Sequence, residues 1–89
     1  MIRLKKDMET IKVENTGNIV GTINKEIILT PDEMLDKAYM FNRIIVPAGS
    51  RIREHAHKPD AEIYYILEGE VCVTDNEKEA ILHSGDVVF

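Results

Sequence analysis

Short apolar runs, each flanked by polar residues and turn formers, recur through the chain. NIVGTI (18–23), KEIIL (25–29), FNRIIVP (41–47), SRIREHAH (50–57), EIYYILEG (62–69), EVCVTD (70–75), EAILH (79–83) and DVVF (86–89) are rich in β-branched and aromatic residues, the composition of strands. Their close spacing predicts an all-β protein, an antiparallel sandwich or small barrel that folds its sheet over so that few edges stay open. LTPDEMLDK (29–37) is the one helical signal, with Thr30 as N-cap, Pro31 at the first helical position and Glu33 closing a capping box. It predicts no more than a turn or two. VPAGS puts Pro47 and Gly49 between strands, EGE puts Gly69 at a tight reversal, and TDNEKE reads as a hairpin loop. Two acidic stretches, ETIKVE (9–14) and DNEKE (75–79), read as solvated loops. Met34, Met40 and Phe41 are assigned to the core near the entry to the barrel.

At 89 residues the chain is expected to form one small domain, 1–89, in which 1–40 supplies accessory strands and the short helical turn and 41–89 the principal strands. A 44% hydrophobic content with 30% charged residues fits a folded soluble protein and argues against disorder. No run of about 18 apolar residues and no signal-peptide core is present, so no membrane partner and a cytoplasmic location are expected. A formal charge of −5 disfavours nucleic acid, whose phosphates are bound by Lys and Arg. The single cysteine, Cys72, has no intrachain partner, and its place between Val71 and Val73 suggests a buried apolar role. The sequence contains no Gly-rich phosphate loop, CxxC pair or Ser-His-Asp order.

One constellation carries chemistry. His55 and His57 are two residues apart, so on a strand both imidazoles leave the same face. Glu62 follows the turn-like KPD at the head of the next strand, where antiparallel pairing brings its carboxylate beside them. Two imidazoles and one carboxylate make a facial ligand set with open positions for water or substrate. Glu54 has the wrong parity to share that face, and Asp60 sits in the turn. Arg51 and Arg53 share parity with His55, so either guanidinium is a candidate clamp for an anionic substrate, or else lies in solvent near the strand start. Tyr64 and Ile66 share the face of Glu62, while Ile63, Tyr65 and Leu67 point the other way; Tyr64 therefore lines a pocket or packs in the core.

The series Gly49-x5-His55-x-His57-x4-Glu62-x6-Gly69 resembles the first motif of the cupin superfamily at every defined position. Five fixed residues at fixed spacing are far more specific than an isolated His-x-His. The resemblance implies a jelly-roll β-barrel and places His55, His57 and Glu62 on the family's metal-ligand positions and Gly49 and Gly69 on its turn glycines. It implies one divalent transition metal, Mn, Fe, Ni, Co or Zn, and a small-molecule ligand. The family's second motif begins at Gly85, Asp86, Val87, Val88 and Phe89, without its Pro-x-Gly turn or fourth ligand, and His83 does not occupy that ligand's place. The closing strands are therefore expected to be missing, which predicts either a truncated, inactive product or a homodimer that completes the sheet by exchange. Two functions follow. One is a metal-dependent enzyme of isomerase, decarboxylase or dioxygenase type, with Arg53 and Tyr64 as substrate-binding residues; the other is a non-catalytic sensor, storage or structural module.

Overall fold

A computed structural model describes residues 1–53, 61–75 and 77–89 of the chain. Its regular elements are strands β1 (Glu9–Glu14), β2 (Ile19–Val20), β3 (Thr22–Leu29), β4 (Phe41–Ile45), β5 (Arg51–Ile52), β6 (Tyr64–Tyr65), β7 (Glu70–Asp75), β8 (Lys78–His83) and β9 (Val87–Val88). Single 3-10 turns at Lys5–Asp7 and Asp32–Met34 are the helical elements among the described residues. Every ladder is antiparallel, as the strand signals predicted. No helix among the described residues is long and apolar enough to cross a membrane. The chain divides into two compact units, Met1–Arg53 and Glu54–Phe89.

In the first unit β3 is the central strand of the sheet β1-β3-β4, and a two-stranded ribbon pairs β2 with β5. β3 has neighbours on both edges, and all of its side chains are at least half-covered. Ile23, opposite Val13 of β1, is fully buried. ETIKVE is thus a strand and not the solvated loop its charge suggested. As an edge strand it needs few apolar residues, since one side of its backbone faces no partner strand and charges there discourage further pairing. Only Val13 of this strand is half-buried.

NIVGTI, read as one strand, is two. Gly21 has a φ of 85°, and the chain leaves the β2 ribbon for the β3 sheet at this residue. The turn is closed by Asn15, whose N–H donates to the Gly21 carbonyl and whose Oδ1 accepts the Gly21 N–H, both at 2.9 Å. Ser50 lies directly against it, its Oγ accepting the Thr22 N–H at 3.0 Å. A Cβ on residue 21 would stand 2.5 Å from that Oγ and 3.1 Å from the Ser50 Cα, so the approach is open only to glycine.

The predicted capping box forms. Glu33 Oε1 accepts the Thr30 N–H at 2.9 Å, and Thr30 Oγ1 accepts the Glu33 N–H at 3.4 Å. The helix stops after its 3-10 turn because Leu35 and Asp36 both take left-handed φ values, 54° and 55°, which end a right-handed turn. Met34 is half-buried, but Met40 and Phe41, expected in the core, are exposed by 59% and 51%. Phe41 pairs with Leu29 beyond a register shift in the β3–β4 ladder, at the end of the sheet where cover runs out.

Across the same sheet Glu26 accepts from Arg43 Nε at 3.0 Å and from Lys5 Nζ at 2.6 Å. Arg43 is its direct neighbour in the ladder. The hydrogen bonds from Lys5 and Arg43 hold the Glu26 carboxyl below the usual carboxylate range. Arg3 makes a parallel link, its guanidinium paired with Glu33 and its Nε donating to the Ile28 carbonyl at 3.3 Å.

Two predictions follow from this unit. A depressed folded-state pKa contributes stability that is present above the unfolded value, near 4.3, and lost as pH falls through the folded value. Urea melts should therefore show Glu26→Gln less stable than wild type at pH 7, with the gap closing towards pH 3. Gly21→Ala should cost about 1–3 kcal/mol, because the new methyl group meets Ser50 and sits at positive φ. Wild-type stability in that variant would show that the Gly21–Ser50 contact is loose.

Candidate metal and ligand site

The motif glycines lie where turns demand them, Gly49 at φ 87° and Gly69 at φ 83°. Before the histidines, Ser50 N–H closes a turn onto the Pro47 carbonyl at 3.0 Å, and β5 pairs through Val20↔Arg51 and Ile19↔Ile52. The Arg53 N–H extends that ribbon by donating to the Asn18 carbonyl at 2.7 Å. Ile52 is half-buried, while Arg51 and Arg53 are exposed. His55 and His57, with the alternatives Glu54 and Asp60, lie outside the described residues.

Glu62 is described, and its surroundings follow a strict alternation. Glu62, Tyr64 and Ile66 are half-buried, whereas Ile63, Tyr65 and Leu67 are exposed by 68%, 62% and 58%. A period of two is what an extended chain with one covered face produces, and it is the parity read from EIYYILEG. Pairing with β9 holds the register, Tyr64 opposite Val88 and Tyr65 opposite Val87. Val88 is half-buried with Tyr64, and Val87 is exposed with Tyr65. The ladder continues as the Ile66 N–H donates to the Asp86 carbonyl at 2.9 Å and the Gly85 N–H to the Ile66 carbonyl at 2.8 Å. Ser84 Oγ adds a bond to the Leu67 carbonyl at 2.9 Å.

Of the residues Gly85–Phe89, which open the second motif, Val87–Val88 thus form the strand that pairs with the one carrying Tyr64. Asp86 also secures the turn before it: its Oδ2 accepts the His83 N–H at 2.8 Å, and its own N–H donates to the His83 carbonyl at 2.9 Å.

Within the covered face Glu62 and Tyr64 lie two residues apart on one side of the extended segment. Burial, with the nearby Glu62 carboxylate adding to it, pushes the Tyr64 phenol well above its ordinary value, so Tyr64 stays protonated. A half-buried carboxylate together with two imidazoles is a donor set that suits a divalent transition ion, and Glu62, His55 and His57 would supply it. Among the described residues no three His, Cys, Asp or Glu side chains form such a group; both motif histidines lie outside them.

The β7–β8 hairpin presents its own two faces. Val71↔Leu82 and Val73↔Ala80 share one side, and Glu70↔His83, Cys72↔Ile81 and Thr74↔Glu79 the other. Its ladder reaches Asp75↔Lys78, so the reversal is tighter than the loop read from TDNEKE. Cys72 is exposed, contrary to the buried role inferred from its valine neighbours. On a strand those neighbours point to the opposite face and say nothing of its surroundings. His83, also exposed, has Nε2 3.2 Å from Glu70 Oε2 across the ladder.

Comparison with known proteins agrees with this architecture. The cupin domain profile matches residues 42–89. Over 89 residues the chain is 33% identical to an oxalate-binding protein of Thermotoga maritima, covering all of this chain and 74% of that protein. It is also 36% identical over 87 residues to an uncharacterized protein of Methanocaldococcus jannaschii, covering 97% of this chain and 66% of the relative. No solved structure matches the chain. All-β, antiparallel and carrying the first-motif residues in register, the chain belongs to the cupin family.

Proposed function

We propose that the chain is a cupin binding module that holds one divalent metal through His55, His57 and Glu62 and takes a small dicarboxylate, oxalate or a close analogue. The observation that carries this reading is the half-buried Glu62 carboxylate on the covered face, at the motif spacing from His57. The oxalate-binding relative, aligned over the whole of this chain, supports the ligand class.

A divalent metal held there would supply a Lewis-acid centre for the carboxylate oxygens of the ligand. The chain's own residues do the rest. Glu62 would bring a negative charge that offsets the metal's, on the face it shares with Tyr64. Arg53, exposed at the end of the β5 ribbon and two residues before His55, adds positive charge that draws an anion toward a protein whose net charge is −5. Gly49 and Gly69 turn the chain at both ends of the motif.

Binding is favoured over turnover by the oxalate-binding relative, aligned over the whole of this chain. Among the described side chains of the second unit, Glu62 and Tyr64 are the half-buried titratable groups.

Calorimetric titration of protein loaded with Mn or Zn should show one oxalate per chain, with acetate bound at least about tenfold more weakly, because it lacks the second oxygen donor group. His57→Ala and metal-stripped protein should both lose oxalate binding. Equal affinity for oxalate with and without metal would contradict the reading. Oxalate recovered unchanged after prolonged incubation fits a binding module, whereas its conversion to formate and carbon dioxide would establish the decarboxylase alternative.

A further inference from the structure

The side of residues 62–67 that turns away from Glu62 is apolar and uncovered. Ile63, Tyr65 and Leu67 lie on it, and across the ladder Tyr65 stands opposite Val87. The alternation of cover continues through Val87, Val88 and Phe89, so Phe89 joins the same side. Val87 is 58% exposed and Phe89 82%. Five large apolar side chains thus stand together on one side of a two-stranded ribbon, with no charged side chain among them. At these exposures they present roughly 600 Å² of surface, the upper end of what a monomer leaves in water as one patch.

We propose that this face packs against the same face of a second copy of the chain, forming a dimer related by a two-fold axis. The area decides the occupant. Two such faces together remove about 1,200 Å² from water, which reaches the size of a specific, stable protein interface. A two-fold contact sets the same patch against itself, and an apolar patch meets that condition with no charge left to be matched. Tyr65 sits between Ile63 and Leu67 and is paired with Val87, which makes it the central anchor. A tyrosine in such a place is the side-chain type that dominates interface energetics. The contact is side chain against side chain, with no strand exchanged, unlike the dimer expected from the sequence. It lies on the opposite side of the ribbon from Glu62 and does not depend on the metal reading.

Charge gives this contact a signature. Residues 54–89 contain nine acidic and two basic residues, so two copies of this unit repel one another at long range. Salt screens that repulsion and leaves the apolar contact intact, so the dimer should tighten as salt is raised. A basic partner protein would be drawn to the same acidic unit, and its affinity would fall with salt.

Sedimentation equilibrium of the full chain, from about 1 µM to about 500 µM, should show reversible dimerisation with a micromolar dissociation constant. Tyr65→Ala and Leu67→Glu should each weaken it by about 30-fold or more. Ile81→Glu, which puts the same charge at an exposed apolar position of β8, should leave it unchanged. Hydroxyl-radical labelling of the wild-type chain, read by mass spectrometry, needs no variant: oxidation of Tyr65, Leu67 and Phe89 should fall as the dimer fills, while that of Ile81 stays constant. Should a variant fail to fold, this labelling decides. A wild-type chain that stays monomeric across the range overturns the proposal and leaves the face to a different protein. A dimer whose Tyr65, Leu67 and Phe89 label as they do in the monomer overturns it as well, and so does a dimer that salt weakens.

Discussion

The pairing of β6 with β9 is the constraint on which the candidate site depends. Two residue pairs, Tyr64↔Val88 and Tyr65↔Val87, with the backbone bonds through Ile66, Gly85 and Asp86, decide which face of residues 62–67 is covered. Because the side-chain period of a strand is two, a slip of one residue would exchange the faces completely. Glu62 and Tyr64 would turn outward, Ile63 and Tyr65 would turn in, and the carboxylate would lose its partly buried setting. Asp86 guards against that slip by bonding both ways with the backbone of His83, which fixes where β8 ends and β9 begins. The Gly-Asp of the second motif thus has a structural task close to that of the first motif's glycines. It terminates one strand and sets the register of the next.

The first unit is organised differently. Ile23 is its one fully buried side chain among the described residues, so polar contacts share in fixing its shape. Glu26 ties Lys5 and Arg43 to the sheet, Thr30 and Glu33 close their short turn, and Ser50 bonds the backbone of Thr22 beside Gly21. A small domain buries a limited fraction of its surface, and each such contact is then a larger share of a narrow net stability. The Gly21–Ser50 contact matters most for the motif, since Ser50 opens the short strand that leads toward the histidines.

Fold class and the parity around Glu62 were legible because both rest on spacing. Gly49 and Gly69 bracket a motif whose positive-φ turns only a few residue types accept. The parity of EIYYILEG gave the covered face directly, since in a strand sequence order is face order. Less legible was anything set by neighbours distant in the chain. ETIKVE became a strand because β3 offers it a free edge, which its own charged residues do not announce. NIVGTI split because Ser50 needs room at Gly21, a contact 29 residues away in sequence. Cys72 was misplaced by treating flanking valines as surroundings, when alternation sends them to the other side. Parity likewise put Glu62 and Tyr64 on one face, the half-buried one.

The account's central claim is that three side chains, His55, His57 and Glu62, hold one metal ion per chain. Elemental analysis of untagged protein, beside His55→Ala and Glu62→Ala prepared identically, tests it most directly. The account predicts close to one equivalent of a divalent transition metal in the wild-type chain and loss of it in both variants. Metal retained at full stoichiometry by either variant, or no metal held by wild type even after reconstitution, would contradict it.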